Sequence, residues 1–213
     1  MAVFQNEFIA DAGNYVNIRT IYSACGVNDM EKINLSSHLF LRRLKKEDWK
    51  DVHTYASQET VSRYQAWGPN SEVETLAYVE DVLKAEKVIP QTRYVQALVD
   101  EETGRVIGAG EIIIKSFVHQ SGEIGYVLHP DYWGKGIGTL IGNALVERGF
   151  SELNLHKISA TCDPQNILSQ KVLTKIGMTL EGRIRHALKM KNGWRDSLLF
   201  GLLKDEWRKR SVE

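Results

Sequence analysis

The segment Leu128-His-Pro-Asp-Tyr-Trp-Gly-Lys-Gly-Ile-Gly-Thr139 constrains this chain more tightly than any other. Before it, the run Glu123-Ile-Gly-Tyr-Val-Leu128 reads as a strand, which a Pro-Asp turn leads into three glycines within five positions. Ile137, Leu140, Ile141, Ala144 and Leu145 then recur at helical spacing, and Gly149 ends the stripe. A strand that passes through glycines into a helix presents backbone N–H groups at the helix N-terminus, where anions and above all phosphate are attracted. Glycine also lets that backbone approach a ligand closely. A flexible connecting turn has the same composition, so the cluster alone leaves both readings open. Two familiar phosphate motifs do not fit. Gly134-Lys-Gly-Ile-Gly138 lacks the spacing of a dinucleotide fingerprint, and Gly136 stands where a P-loop needs Ser or Thr for magnesium. Nucleotide hydrolysis is therefore not expected.

The rest of the chain alternates around this turn. His38-Leu-Phe-Leu-Arg42 is the first convincing strand, and Trp49, Val52, Tyr55 and Ala56 follow at helical spacing. Ser71-Glu-Val-Glu74 is a capping-box signature, with Val73, Leu76, Val79 and Leu83 expected on one helical face. Strands are expected over 93–99, 105–115 and 123–128, with a hairpin turn at Asp100-Glu-Glu-Thr-Gly104. A strand at 156–162 and a short helix from Pro164 come next, with Asp163 as the expected N-cap. Asn192-Gly193 marks a final hairpin. The order is β-α-α-β-β-β-α-β-α-β-β, an α+β fold with a mixed central sheet of about seven strands flanked by helices. One domain is expected over 36–207. Residues 1–35 read as an N-terminal extension, with Met30 as an internal alternative start.

Charge narrows the partners. Lys+Arg and Asp+Glu each total 27, without the basic excess that nucleic-acid binding requires. No apolar stretch approaches the roughly 18 residues of a membrane span, and no basic-then-apolar leader opens the chain. No nucleic-acid or membrane partner is expected. The two cysteines, Cys25 and Cys162, make no disulfide framework and suit a reducing cytoplasm. Cys162 ends a strand-like run and reads as a small buried hydrophobe. The six histidines show neither HExxH nor paired spacing with cysteine, so no metal is expected.

Trp133-Gly-Lys-Gly136-Ile-Gly138 resembles the pyrophosphate loop of the GNAT acetyltransferases, Gln/Arg-x-x-Gly-x-Gly/Ala, except at its first position. Tryptophan there, within Tyr-Trp-Gly-Lys-Gly, resembles the branch of the ribosomal-protein alanine and serine N-terminal acetyltransferases. Leu41-Arg-Arg-Leu with Glu47-Asp48, then Glu123–Leu128, Asn166-Ile-Leu-Ser169, Lys175-Ile-Gly-Met and Leu180-Glu-Gly follow in family order and spacing over about residues 36–203.

The resemblance implies a single-domain GNAT fold and acetyl-CoA as co-substrate, with direct attack by a primary amine in a ternary complex. The pantetheine arm would pair with the strand of Tyr126, Val127 and Leu128, where it splays from the strand at 156–162. Pyrophosphate would rest on the N–H groups of Gly134, Lys135, Gly136, Ile137, Gly138 and Thr139, with Asn166 also at the cofactor. A backbone N–H near Leu128 would form an oxyanion hole. Trp133 either covers the cofactor or packs under the loop. Many relatives donate a proton to the leaving thiolate from a tyrosine seven residues after the asparagine. That position here is Leu173, and Ser169, on the same helical face as Asn166, is the expected substitute.

Glu123 and Glu111, on central strands, are the candidate bases, with Glu181 and a water relay as alternatives. Strand parity sets Glu123 opposite Leu128 unless a bulge intervenes. Arg42 and Arg43 either orient an acidic substrate or flank a strand as solvated charges. The acceptor, a protein N-terminus or a small-molecule amine, would be gripped by residues 57–75 and the last hairpin. A CoA-binding module that has lost catalysis is the alternative of a different class, and the departures at Trp133 and Leu173 favour it. An exposed edge strand allows a monomer or a homodimer.

Overall fold

The computed structural model describes residues 32–190 and 193–210. Met30 and most of the expected extension lie outside these residues, as does Asn192 of the last turn. The strands are β1 (Ile33–Asn34), β2 (Leu39–Arg43), β3 (Arg93–Asp100), β4 (Arg105–Ser116), β5 (Ser121–Leu128), β6 (Lys157–Cys162), β7 (Thr179–Met190) and β8 (Gly193–Leu203). They form one sheet in the order β1-β2-β3-β4-β5-β6-β8-β7. All neighbours pair antiparallel except β5 and β6, which are parallel. The sheet thus has eight strands rather than about seven. The added one, β1, has two residues, too few for any periodicity to reveal. Ile33 and Leu35 beside it pack on the core, so the sheet begins within the segment read as extension.

The helices are α1 (Trp49–Ala56), α2 (Glu59–Ser62), α3 (Glu72–Ala85), α4 (Ile137–Ser151), α5 (Ile167–Lys175) and α6 (Lys204–Arg210). Strand alternation divides the core in two. Leu98, Ile112, Ile124 and Leu128 face α4 and α5 on one side of the sheet. Val95, Ala97, Val99 and Ala109 face α1 and α3 on the other. The capping box at α3 is formed: Ser71 Oγ accepts from Glu74 N, and the Glu74 carboxylate accepts from Ser71 N at 2.8 Å. Its buried face differs from expectation. Val73 is 75% exposed, whereas Thr75, Val79 and Val82 are buried. Val73 falls in the first turn, and Thr75 replaces it inside because its hydroxyl is satisfied by His53 Nδ1 at 2.9 Å and by Ser71 O at 3.1 Å.

Helix α4 lies close on the sheet because β4 is bare at Gly110. A Cβ there would stand 3.0 Å from Ile141 Cγ2 and 3.2 Å from Leu145 Cδ1. Gly110→Val should therefore push α4 outward and lower the unfolding free energy by about 1–3 kcal/mol. Urea denaturation of the two proteins measures it, and equal midpoints would contradict this account of the packing.

Candidate active site

β5 and β6 pair only from Ser121–Glu123 against Lys157–Ser159. Beyond that point each strand stays with its outer neighbour. β5 follows β4 to the Leu128–Gly108 pair, and β6 follows β8 to the Cys162–Leu198 pair. The inner edges of β5 and β6 therefore part, and a cleft of about 720 Å³ opens through the sheet. Gly125, Val127 and Glu111 line it on the α1/α3 side, and Tyr126, Ser169 and Leu173 on the α4/α5 side. The β4–β5 register is regular from Gly122 to Leu128, so no bulge intervenes and Glu123 faces away from Leu128, as strand parity predicts.

The glycine turn adjoins the cleft through Tyr126, whose Cε2 would lie 3.2 Å from a Cβ on Gly138. Gly134 and Gly136 have φ of +75° and +78°, a region that side chains disfavour, and no atom lies within 4 Å of where their Cβ atoms would be. That leaves a bare, rigid cradle at a helix N-terminus, a fit for a pyrophosphate. The N–H of Thr139 turns back to Gly136 O at 3.0 Å. The N–H groups before it are those a helix start leaves without an intrahelical acceptor. Trp133 Nε1 donates to Leu128 O at 2.8 Å, so the indole straps the loop to the end of β5 while 41% of the residue stays exposed. Tyr132 Oη donates to Asp100 Oδ2 at 2.9 Å and ties the same loop to β3.

Helix α5 begins later than expected. Asp163 is not its cap: the Asp163 carboxylate accepts from Gln165 N at 2.7 Å in a separate turn, and Asn166 caps the helix by accepting from Ser169 N at 3.1 Å. The Asp163-Pro164 pair resembled a helix start, but its short side chain satisfies a local turn instead. The cap ties Asn166 to Ser169 directly, and both line the cleft. Leu173, at 3% exposure, forms an apolar wall beside them. Opposite, the Tyr126 phenol faces Ser169. Burial raises its pKa, and hydrogen bonding by the Ser169 hydroxyl offsets part of that rise. Burial first, and then the Asp163 carboxylate, push the Cys162 thiol up to about 11. At neutral pH it is a protonated bystander, in keeping with its expected role.

The carboxylates separate. Glu111 lines the cleft and takes the Nε of Arg93, whose Nη1 also reaches Asp81 Oδ2 at 2.7 Å. The Tyr78 phenol beside them is pushed up to about 12, by burial and then by Glu111. Glu123 instead pairs with Lys115 at 3.2 Å and accepts from Thr161 Oγ1, where β5 and β6 are still joined. Glu181 pairs with Lys157 at 2.7 Å on the sheet's far side. Neither lines the cleft. Arg42 grips Asp48 through both nitrogens, at 2.7 and 2.8 Å, and its role is structural. Sequence reasoning missed Tyr78, Asp81, Arg93 and Arg195. Arg195 bonds Tyr64 O and lies 3.5 Å from Asp163. These partners are brought together by strand register and helix docking, which no local spacing encodes.

The acetyltransferase (GNAT) domain model matches residues 38–179. This chain belongs to the GNAT acetyltransferase family. An uncharacterized N-acetyltransferase of Bacillus subtilis, YnaD, is 34% identical over 81% of the chain and 97% of its own length. The spermidine N(1)-acetyltransferase of Escherichia coli K12 is 27% identical over 74% of the chain and 82% of its own. The crystal structure of the ribosomal-protein-S5-alanine acetyltransferase of Vibrio fischeri superposes with a TM-score of 0.70 at 25% identity, covering 83% of this chain and 98% of that one. The fold is thus that of an N-acetyltransferase. Among the described residues, no His, Cys, Asp and Glu group is arranged to hold a metal ion.

The cradle yields a direct test. Acetyl-CoA should raise the melting temperature, because a ligand of the folded state at a hundred times its Kd adds about 2.7 kcal/mol. Gly136→Asp should remove the shift by placing a carboxylate in the anion cradle at a strained φ. A full shift in that variant would refute the anion-loop assignment.

Proposed function

We propose that this protein transfers the acetyl group of acetyl-CoA to a primary amine by direct attack within a ternary complex. The observation that carries this is the cleft through the sheet, with hydroxyls on one side and carboxylates on the other, and the glycine turn adjoining it at Tyr126. Acetyl-CoA supplies an activated thioester. The free edge of β5 at Tyr126, Val127 and Leu128 is suited to pair with its extended arm, and the N–H groups of Gly134–Gly138 to hold its pyrophosphate. Asn166, its Oδ1 committed to the cap, has its amide N–H groups to offer at the cleft. A backbone N–H near Leu128 would hold the carbonyl oxygen as negative charge develops there. Ser169 donates its hydroxyl to sulfur as the carbon–sulfur bond breaks and its electron pair stays on sulfur. The attacking nitrogen bonds the acetyl carbon and loses a proton toward Glu111, directly or through water. All three candidate carboxylates are paired with cations, and Glu111 is the better-placed base because it alone of them lines the cleft.

The acceptor's chemistry follows from charge. Glu74, Asp81, Glu111 and Asp163 line the cleft against Arg93 and Arg195, and both arginines are engaged by carboxylates. The net negative wall favours an acceptor with positive charge beyond the reacting nitrogen, and Tyr78 and Trp67 offer aromatic faces to it. Spermidine, the substrate named for the E. coli relative, and protein N-termini that carry further positive charge both qualify.

Two outcomes are expected. Ser169→Ala should lower kcat by about 10²-fold, the lower end for a lost proton donor, with acetyl-CoA affinity close to normal; an unchanged kcat under chemistry-limited conditions would remove Ser169 from this role. In an acceptor panel read by thiol release, α-amines, with reference pKa near 7.7–8.0, should outrun lysine side chains near 10.4 at neutral pH. Cationic acceptors should outrun neutral ones of the same size. Faster acetylation of internal lysines, or preference for anionic acceptors, would contradict the reading.

A further inference from the structure

We propose that Arg195 is a positioning residue for the acceptor: it ties the loop between α2 and α3 to β8 and so fixes the wall that an amine would meet. The inference rests on the amine-acceptor reading above. The parting of β5 and β6 leaves the two halves of the sheet with different companions. α1 and α3 pack on β3 and β4, on the β5 side of the gap, whereas β8 belongs to the β6 side. Tyr64, Gln65, Ala66, Trp67 and Asn70, from the loop that joins α2 to α3, line the cleft. This loop contains neither helix nor strand. Its own bonds are local, from Gln65 N–H to Ser62 O at 2.8 Å and from Asn70 N–H to Ala56 O at 2.9 Å. Neither reaches the sheet.

Arg195 makes the long-range tie. Phe200 and Leu202 of β8 face α4 and α5, so Arg195, an odd number of positions away, is directed to the other side. There its Nη1 donates to the Tyr64 carbonyl, 131 residues distant in sequence, and lies 3.5 Å from Asp163 Oδ2. The Asp163 carboxylate is itself held by Gln165 N–H at 2.7 Å. One guanidinium therefore links the loop, β8 and the turn before α5. Its side chain is 16% exposed, and its Nε is buried without a hydrogen-bond partner. A buried unpaired donor costs stability, and an apolar side chain would avoid that cost. What the arginine adds at this position is direction, a planar donor set that fixes a backbone carbonyl. Trp67 follows three residues after that carbonyl and is 38% exposed, where a cationic acceptor would meet its ring. Charge and position predict opposite results. If charge alone decided binding, removing a cation from this cleft would tighten a cationic acceptor. If Arg195 is a strut, removing it loosens the wall and weakens that acceptor.

The test compares Arg195→Met with the parent, using spermidine and a short basic peptide with a free N-terminus as acceptors. A second variant, Arg195→Met with Asp163→Asn, strands no buried charge and keeps the net charge of the cleft, so it reads the strut alone even where the single variant fails to fold. In both, KM for the acceptor should rise about tenfold, the scale of one hydrogen bond. kcat should stay near the parent's, as when binding common to ground and transition states is lost. The acetyl-CoA thermal shift should be kept. Hydrogen exchange of peptides covering residues 63–70 should quicken, while that of α4 peptides stays as in the parent. An acceptor KM at or below the parent's overturns the positioning role, and so does unchanged exchange over 63–70. A joint loss of kcat and of the acetyl-CoA shift overturns it too, since Arg195 would then support the site at large. If the parent acetylates neither probe, the acceptor reading falls and this inference falls with it.

Discussion

Everything at this site depends on two strands that begin as parallel neighbours and cannot remain so. β5 is bound along its whole length by β4, and β6 by β8. After three paired positions the outer ladders carry the two strands apart. Buried N–H and C=O groups must find partners, so a parted edge inside a sheet is stable only where water or a ligand reaches it. The cleft is that access. A substrate arm with alternating amide groups is complementary to such an edge, as in other cases where an extended chain adds to a sheet.

The same parting sorts the chemistry by face. Because side chains alternate, β5 sends Tyr126 toward α5 and Gly125 and Val127 toward α1 and α3. Hydroxyls and the helix N-terminus, which favour developing negative charge, fall on one side. Carboxylates, which favour an ammonium and can accept its proton, fall on the other. Glycine at 125 keeps the passage between the faces open: no atom lies within 4 Å of where its Cβ would be. An amine and a thioester can thus approach from opposite faces and meet in the plane of the sheet.

Local patterns carried most of the fold. The stripe of α4, the capping box at Ser71 and the glycine turn are each written within a dozen residues, and all are present. What escaped was either too short or not local. β1 has two residues, and α6 is held through Trp207 against Phe150, with ring centroids 5.4 Å apart. Asp163 and Asn166 are both good caps by composition, and only the path of the chain after Pro164 decides between them. At the site, motif spacing singled out the glycine turn, Asn166 and Ser169, and the last two line the cleft. It could not locate Arg93, whose partner Glu111 lies 18 residues away across the β3–β4 hairpin, nor could it rank Glu111 above Glu123. Their difference arises from where the strands part, and the sequence does not mark that point.

Cys162 is held out of reaction by its surroundings. It lines the cleft, and an ionised thiol there would be a stronger nucleophile than any amine and would intercept an acetyl group. Two influences oppose ionisation: burial and the neighbouring Asp163 carboxylate, against which Arg195 pulls the other way. The first two prevail, and at a pKa of about 11 the thiol is overwhelmingly protonated at neutral pH. Arg195 is itself neutralised by Asp163 and tied to Tyr64 O, so the strongest cation near the thiol is spent on other partners. The Asp163 carboxylate, which adds to the negative charge lining the cleft, thus also helps burial to keep the thiol protonated.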